Sequence, residues 1–238
     1  MRKVIKLILS LIIIICIGII IYKSYLYHID KKEYLDLEKY KPEVSSSNDE
    51  EKVTLADINN DYKFWLSIDN TKVNYPVVQG DDNKFYLEHN FSKEYSISGT
   101  LFVDYRNDIN KDKNIIIYGH NMRNGTMFNE LKKFKDEEFF YNNYITIIKD
   151  NNEYKYEVFS VYALPENEIT LKKDFVDENE YLQYLNNLIE KSYYNKNIEL
   201  NYDSNIITLI TCSYEYNNAR TIVHAKLSNK IQKKELDI

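Results

Sequence analysis

The chain has 238 residues with 31 Lys+Arg against 37 Asp+Glu, a net charge of −6 at neutral pH, which excludes the basic face a nucleic-acid binder needs to displace counterions from phosphates. Hydrophobic residues make up 44% and aromatics 14%, enough for one real core and too much for a disordered chain. Only 5 Gly and 3 Pro are present, so collagen-like and low-complexity architectures are excluded; neither GxxxxGK nor GxGxxG occurs, and nucleotide-driven chemistry is not expected.

Arg2, Lys3 and Lys6 precede the apolar run Leu7 to Tyr22 (LILSLIIIICIGIIIY), which Lys23 closes. Counted from Val4, a helix over this run is roughly 28 Å long at 1.5 Å per residue, the lower end of what crosses a bilayer core. No small-x-small site follows it, which favours an uncleaved anchor over a secretory signal. Positive charge ahead of the span predicts a single-pass cell-membrane protein, N-terminus inside and residues 24–238 outside. Cys16 lacks the small preceding side chain that lipidation requires, since Ile15 stands there.

His28 to Tyr40 predicts a short helix, and Lys41 to Lys52 (KPEVSSSNDEEK) has linker composition. The expected division is therefore 1–23 anchor, 24–52 juxtamembrane helix and linker, and 53–238 the exported domain. Within that domain β-branched and aromatic runs predict strands at Thr71 to Val78, Thr100 to Tyr105, Asn114 to Tyr118, Tyr144 to Ile148, Tyr154 to Ala163, Ile206 to Thr211 and Thr221 to Leu227. The fold expected from them is mainly β, an antiparallel sheet or barrel. Two helices interrupt it: Met127 to Phe134 capped by Thr126, and a segment to about Ser192 that opens on the capping-box pair Asp177 and Glu180.

Cys212 is the only thiol in the exported part, so it has no disulfide partner there, and a free reactive thiol is the feature to pursue. It ends one apolar strand, and Arg220 begins the next. If these strands pair, a guanidinium approaches a thiol whose nucleophilic form is the thiolate. The competing reading is a buried Cys and a surface Arg. A base is also required, and His120 follows a Gly at the end of Asn114 to Tyr118, well placed for catalysis. His224 sits inside a strand and reads as structural; His89 lies in a polar loop. No pair of His has metal-site spacing, so neither metal nor cofactor is expected.

Thr208-Leu209-Ile210-Thr211-Cys212 resembles the TLxTC signature of the sortases, membrane-anchored cysteine transpeptidases of Gram-positive bacteria. Tyr75-Pro76-Val77-Val78-Gln79, Asp82-Asn83, Tyr86-Leu87, Gly99-Thr100-Leu101-Phe102, Asp104, Arg106-Asn107, Tyr118-Gly119-His120-Asn121-Met122 and Gly125-Thr126-Met127-Phe128 are similar to class B members, from about Trp65 to Leu227. The resemblance implies an eight-stranded β-barrel with peripheral helices. It makes Cys212 the nucleophile, His120 the general acid and base, and Arg220 the oxyanion or substrate stabiliser. It also implies that Asn83, Leu87 and Thr211 line a groove for a sorting-signal peptide of exported proteins, with a cell-wall peptide amine or lipid-linked precursor as acceptor. Ile210 and Ser213, where some relatives differ, bear on substrate contacts and not on the triad. The rival readings are an exported cysteine protease and an anchored binding domain without catalysis.

Overall fold

The computed structural model describes residues 2–42 and 53–231. Most of the expected linker, 43–52, lies outside the described residues. The N-terminal segment forms a single helix, α1 (Arg2–Leu37), followed by a 3-10 turn (Glu38–Tyr40). Two helices were expected here, one in the span and one at His28 to Tyr40; no Gly or Pro separates them after Gly18, and they run together. Among the described residues α1 is the one helix long and apolar enough to cross a membrane.

The rest is a closed eight-stranded barrel, ordered β1-β2-β3-β4-β7-β8-β6-β5. The strands are β1 (Tyr62–Ile68), β2 (Asn74–Val78), β3 (Leu101–Val103), β4 (Asn114–Tyr118), β5 (Tyr144–Lys149), β6 (Asn152–Pro165), β7 (Ile206–Cys212) and β8 (Ala219–Ile231). β2 with β3 and β4 with β7 run parallel, and the remaining neighbours run antiparallel. Helices α2 (Leu55–Ile58), α3 (Glu137–Asn142) and α4 (Glu178–Lys191) are peripheral. β1 was not among the expected strands, because Phe64, Trp65 and Leu66 are buried in succession and hide the alternation that reveals a half-buried strand.

Side-chain parity sorts the strands into two faces. Ile117, Leu209 and Val223 point into the main core with Leu101 and Val103. Ile116, Ile210 and Ile222 point outward and form a second cluster with Tyr162, covered by Tyr118, Leu164, Ile169 and Leu171. The long connection from β6 to β7 thus roofs the outer face of β4, β7 and β8. Its helix α4 packs Tyr181, Leu185 and Leu188 against Phe159 and Ile206. Asp177 caps α4 by accepting from Glu180 N at 2.8 Å. The box is only half formed, because the Glu180 carboxylate takes Val176 N and Lys172 instead.

The segment after His120 also departs from expectation. Phe128–Lys135 is a 3-10 turn, preceded by Met127 at φ 53°, and no side chain caps it. Thr126 donates instead to Asn124 Oδ1 at 2.7 Å. A buried Met held at positive φ stores strain beside the candidate site.

Residues 30–41, assigned by composition to the juxtamembrane region, pack on the barrel. Tyr34 and Leu37 are buried in the main core. Tyr34 OH donates to Gly99 O at 2.5 Å, and its ring meets Tyr75 edge-on at 5.3 Å. Asn74 donates to the Glu38 carboxylate at 2.5 Å and accepts from Lys41 Nζ at 2.9 Å.

Candidate active site

The site is built by register. In the parallel pair β4/β7, Tyr118 lies opposite Ile210, so β4 ends two residues before His120 at the level where β7 runs on to Cys212. In the antiparallel pair β7/β8, Cys212 lies opposite Arg220. Ser213 N donates to Ala219 O at 2.7 Å, which makes Cys212 and Arg220 a non-hydrogen-bonded pair, the kind with Cα atoms about 4.5 Å apart and side chains closest. By parity Ile116, Tyr118, Ile210, Cys212, Arg220 and Ile222 share the outward face. The ends of β4 and β7 and the start of β8 therefore bring an imidazole, a thiol and a guanidinium together at one end of the barrel, under the β6–β7 connection.

Gly119 makes the exit from β4 possible. A Cβ there would stand 2.3 Å from Leu101 Cδ2 and 2.8 Å from Phe128 Cδ2. The imidazole that comes next is held by the main chain, with His120 Nε2 2.7 Å from Leu87 O. A carbonyl only accepts, so Nε2 carries the proton and Nδ1 is the nitrogen left for proton traffic. Leu87 ends a 3-10 turn, Phe85–Leu87, and its carbonyl can approach because Gly99, at φ 58°, has no side chain; a Cβ would lie 2.7 Å from Leu87 O.

Cys212 is half-buried and free. Its carbonyl accepts from Asn121 Nδ2 at 2.7 Å. Arg220, with its side chain 24% exposed, donates from one terminal nitrogen to Glu166 Oε2 at 2.8 Å. Glu166 opens the β6–β7 connection, and sequence alone offered no signal for it, since a single acid in a loop is unremarked until a strand end faces it. Farther along β4, Tyr118 donates to the buried Asp104 carboxylate at 3.1 Å, and Arg106 grips that group with bonds of 2.9 and 2.7 Å. Burial works to raise the Asp104 carboxyl, but the Arg106 hydrogen bonds and charge outweigh it and hold the group below the usual carboxylate range.

The other expected groove residues are placed differently from one another. Leu87 reaches the site through its carbonyl. Asn83 accepts from Tyr105 N at 3.0 Å and ties the loop after β2 to the turn after β3. Thr211 lies on the opposite face from Cys212 by strand alternation, 4% exposed, and its hydroxyl has no hydrogen-bond partner among the described residues. The structure does not bring its side chain to the outward face.

His224 belongs to a buried polar line. Asn114 donates to Lys172 O at 2.8 Å, so its Oδ1 faces Thr208, which donates to it at 2.7 Å. The Thr208 oxygen must then accept from His224 Nδ1 at 2.8 Å, and Nε2 accepts from Tyr162 OH at 2.9 Å. This imidazole is fully buried. Desolvation first, and then the Lys191 charge, lower its pKa to about 3. It is a neutral structural group and not a proton shuttle.

A sortase-domain family model matches residues 66–228. Sortase B of Listeria monocytogenes serovar 1/2a is 35% identical over 180 residues, 74% of this chain and 73% of that protein. Sortase B of Staphylococcus aureus is 33% identical over 232 residues, covering 92% and 94%. Among solved structures, Clostridium perfringens sortase B superposes with a TM-score of 0.72 at 45% identity, over 74% of this chain and 98% of that one. Sortase B from Bacillus anthracis in complex with AAEK1 gives a TM-score of 0.75 at 34% identity, over 87% and 99%. With the barrel, its order of elements and the sequence agreeing over this span, the chain belongs to the sortase family of transpeptidases, and within it to class B.

Proposed function

We propose that Cys212 attacks a backbone carbonyl in the C-terminal sorting signal of an exported protein, forming a thioester that an amine of a cell-wall peptide then resolves. The observation that carries this reading is that β7 and β8 set Cys212 opposite Arg220 on the outward face, and that β4, the parallel neighbour of β7, ends two residues before His120 at the same end of the barrel. The Cys212 thiolate is the nucleophile. Arg220 donates to the oxygen that becomes negative in the tetrahedral species. His120 as imidazolium keeps its Nε2 proton on Leu87 O and gives its Nδ1 proton to the departing amine; it takes one back from the incoming amine in the second half. Asn83, Leu87 and the main chain at Thr211 contribute to the peptide groove. A structure described as a Staphylococcus aureus sortase B–substrate complex, 31% identical with a TM-score of 0.69, supports a peptide as the first substrate. A Pro- and Thr-containing pentapeptide is the substrate class that the class B resemblance implies.

In this reading the helix α1 is a membrane anchor with its N-terminus inside, and the barrel works outside the cell, where exported proteins and lipid-linked wall precursors meet. The test is incubation with a pentapeptide library, with and without a wall-peptide amine. Mass spectrometry should find an acyl group on Cys212, and the amine should raise turnover and enter the product. Free carboxylate alone across many amines would convert the reading to a protease, and an unmodified Cys212 would remove catalysis from it. His120→Ala should abolish transfer while Cys212 still alkylates slowly.

A further inference from the structure

The parallel ladder between β4 and β7 stops one rung short of the nucleophile. Gly119 N donates to Ile210 O at 3.2 Å; the next rung of a parallel ladder would join Asn121 N to Cys212 O, with His120 flat in the sheet opposite Cys212. The chain instead leaves the strand at Gly119, and the Asn121 side chain supplies that rung, Nδ2 to Cys212 O at 2.7 Å. Its amide is fixed in this sense because Oδ1 accepts from Asn129 Nδ2 at 2.6 Å. The Asn121 carbonyl in turn accepts from Tyr214 OH at 3.2 Å. One residue thus joins the His120 loop, the 128–135 turn and the segment after Cys212.

We propose that Asn121 is a positioning residue: its side-chain rung lets His120 leave the sheet while locking the Cys212 main chain beside it, so that thiol and imidazole keep one relative geometry through acylation and amine transfer. This rests on the transpeptidase reading above. Misplacing reacting groups by about 1 Å costs on the order of 10²-fold in rate, and a geometry held by one amide is lost when that amide is inverted.

The experiment uses the full chain in detergent with Cys16→Ser, so that Cys212 is the one thiol. Asn121→Asp keeps the shape but presents an oxygen to the Cys212 carbonyl, and Asn129→Asp draws the Asn121 amide nitrogen away from it. Two rates are read, transfer of a productive sorting peptide to the wall-peptide amine and, with no substrate present, alkylation of Cys212 by iodoacetamide at pH 7. Both variants should lose at least about tenfold in kcat with KM within about twofold, and alkylate at least about threefold more slowly as the thiol loses its neighbouring base. Unchanged kcat or unchanged alkylation in a variant with native circular dichroism overturns the proposal. Should Asn121→Asp fail to fold, Asn129→Asp decides alone. Should the parent chain transfer nothing, the functional reading falls, and the alkylation ratio still decides whether Asn121 positions the pair.

Discussion

Two basic side chains of β8 are set by different kinds of partner. Arg220 pairs with a Glu166 whose side chain is 65% exposed, so the bond itself contributes little to stability; in the proposed mechanism its use is to aim a planar fork of donors. A Lys keeps the charge and loses the fork. Arg220→Lys should therefore lower kcat about 10²-fold, the usual cost of one oxyanion donor, with little change in melting temperature; full activity would reduce Arg220 to a general field. His224 acts only on stability. Its folded pKa, about 3, lies below the unfolded value near 6.5. The unfolded chain therefore binds the extra proton, and the contribution is complete above about pH 6.5 and shrinks as pH falls toward 3, by up to ~1.4 kcal/mol per pH unit. Melting curves of the parent and His224→Gln between pH 7 and 4.5 should converge as pH drops, and parallel curves would contradict the assignment. At this scale the placement of Cys212 and Arg220 at strand ends, and of His120 just past one, was readable, because strand ends and parity are written in apolar spacing. Glu166, Asn129 and the inward turn of Thr211 were not, since each depends on which strand neighbours which.

Among the elements, β4 and β7 position the candidate site, and both were legible from their sequences. Asn114–Tyr118 was placed residue for residue and Ile206–Thr211 to within one residue. Their parallel pairing was not legible, because it is a contact between strands distant in the chain with an entire β-hairpin and helix between them. The short 3-10 turn after His120 was missed for a related reason: apolar spacing at Met127, Leu131 and Phe134 suits either helix type, and tertiary packing chose. Gly119 is the hinge of this arrangement. Because a methyl there meets the side chains of Leu101 and Phe128 at 2.3 and 2.8 Å, Gly119→Ala should shift the His120 loop and cost ~1–3 kcal/mol as an overpacked core site. Activity should fall more than the loss of folded protein accounts for, which titration of the Cys212 thiol in the folded fraction against turnover would measure. A variant as active per folded molecule as the parent would show that the loop absorbs the methyl.

Over the whole molecule, the buried core begins before the composition-based boundary. Linker composition begins at Lys41, yet Tyr34 and Leu37 are already in the main core. We propose that the unit that folds includes residues 24–41 as well as 53–231. Burying a large apolar side chain contributes ~1.5–3 kcal/mol, so a fragment from Ser24 should be more stable than one from Val53 by ~3–5 kcal/mol in urea titrations. Equal midpoints would return the boundary to Val53.

The unbroken course of α1, from Arg2 to a docked Tyr34 and Leu37, also makes the barrel a gear fixed to a shaft. Each residue added to a helix turns the remainder of the chain by about 100° and advances it by about 1.5 Å. Insertions between Tyr25 and Ile29 would therefore dial the catalytic face around the membrane normal before they change its reach appreciably. If, as proposed above, substrate and acceptor both reach the enzyme at a lipid surface, activity on vesicles should follow the phase of the insertion. One or two added residues should cost more than four, which come nearly full circle, while all remain equal on soluble peptides in detergent. A smooth decline with length would mean that only height matters; a periodic one would mean that the helix sets the azimuth at which the enzyme meets a two-dimensional supply.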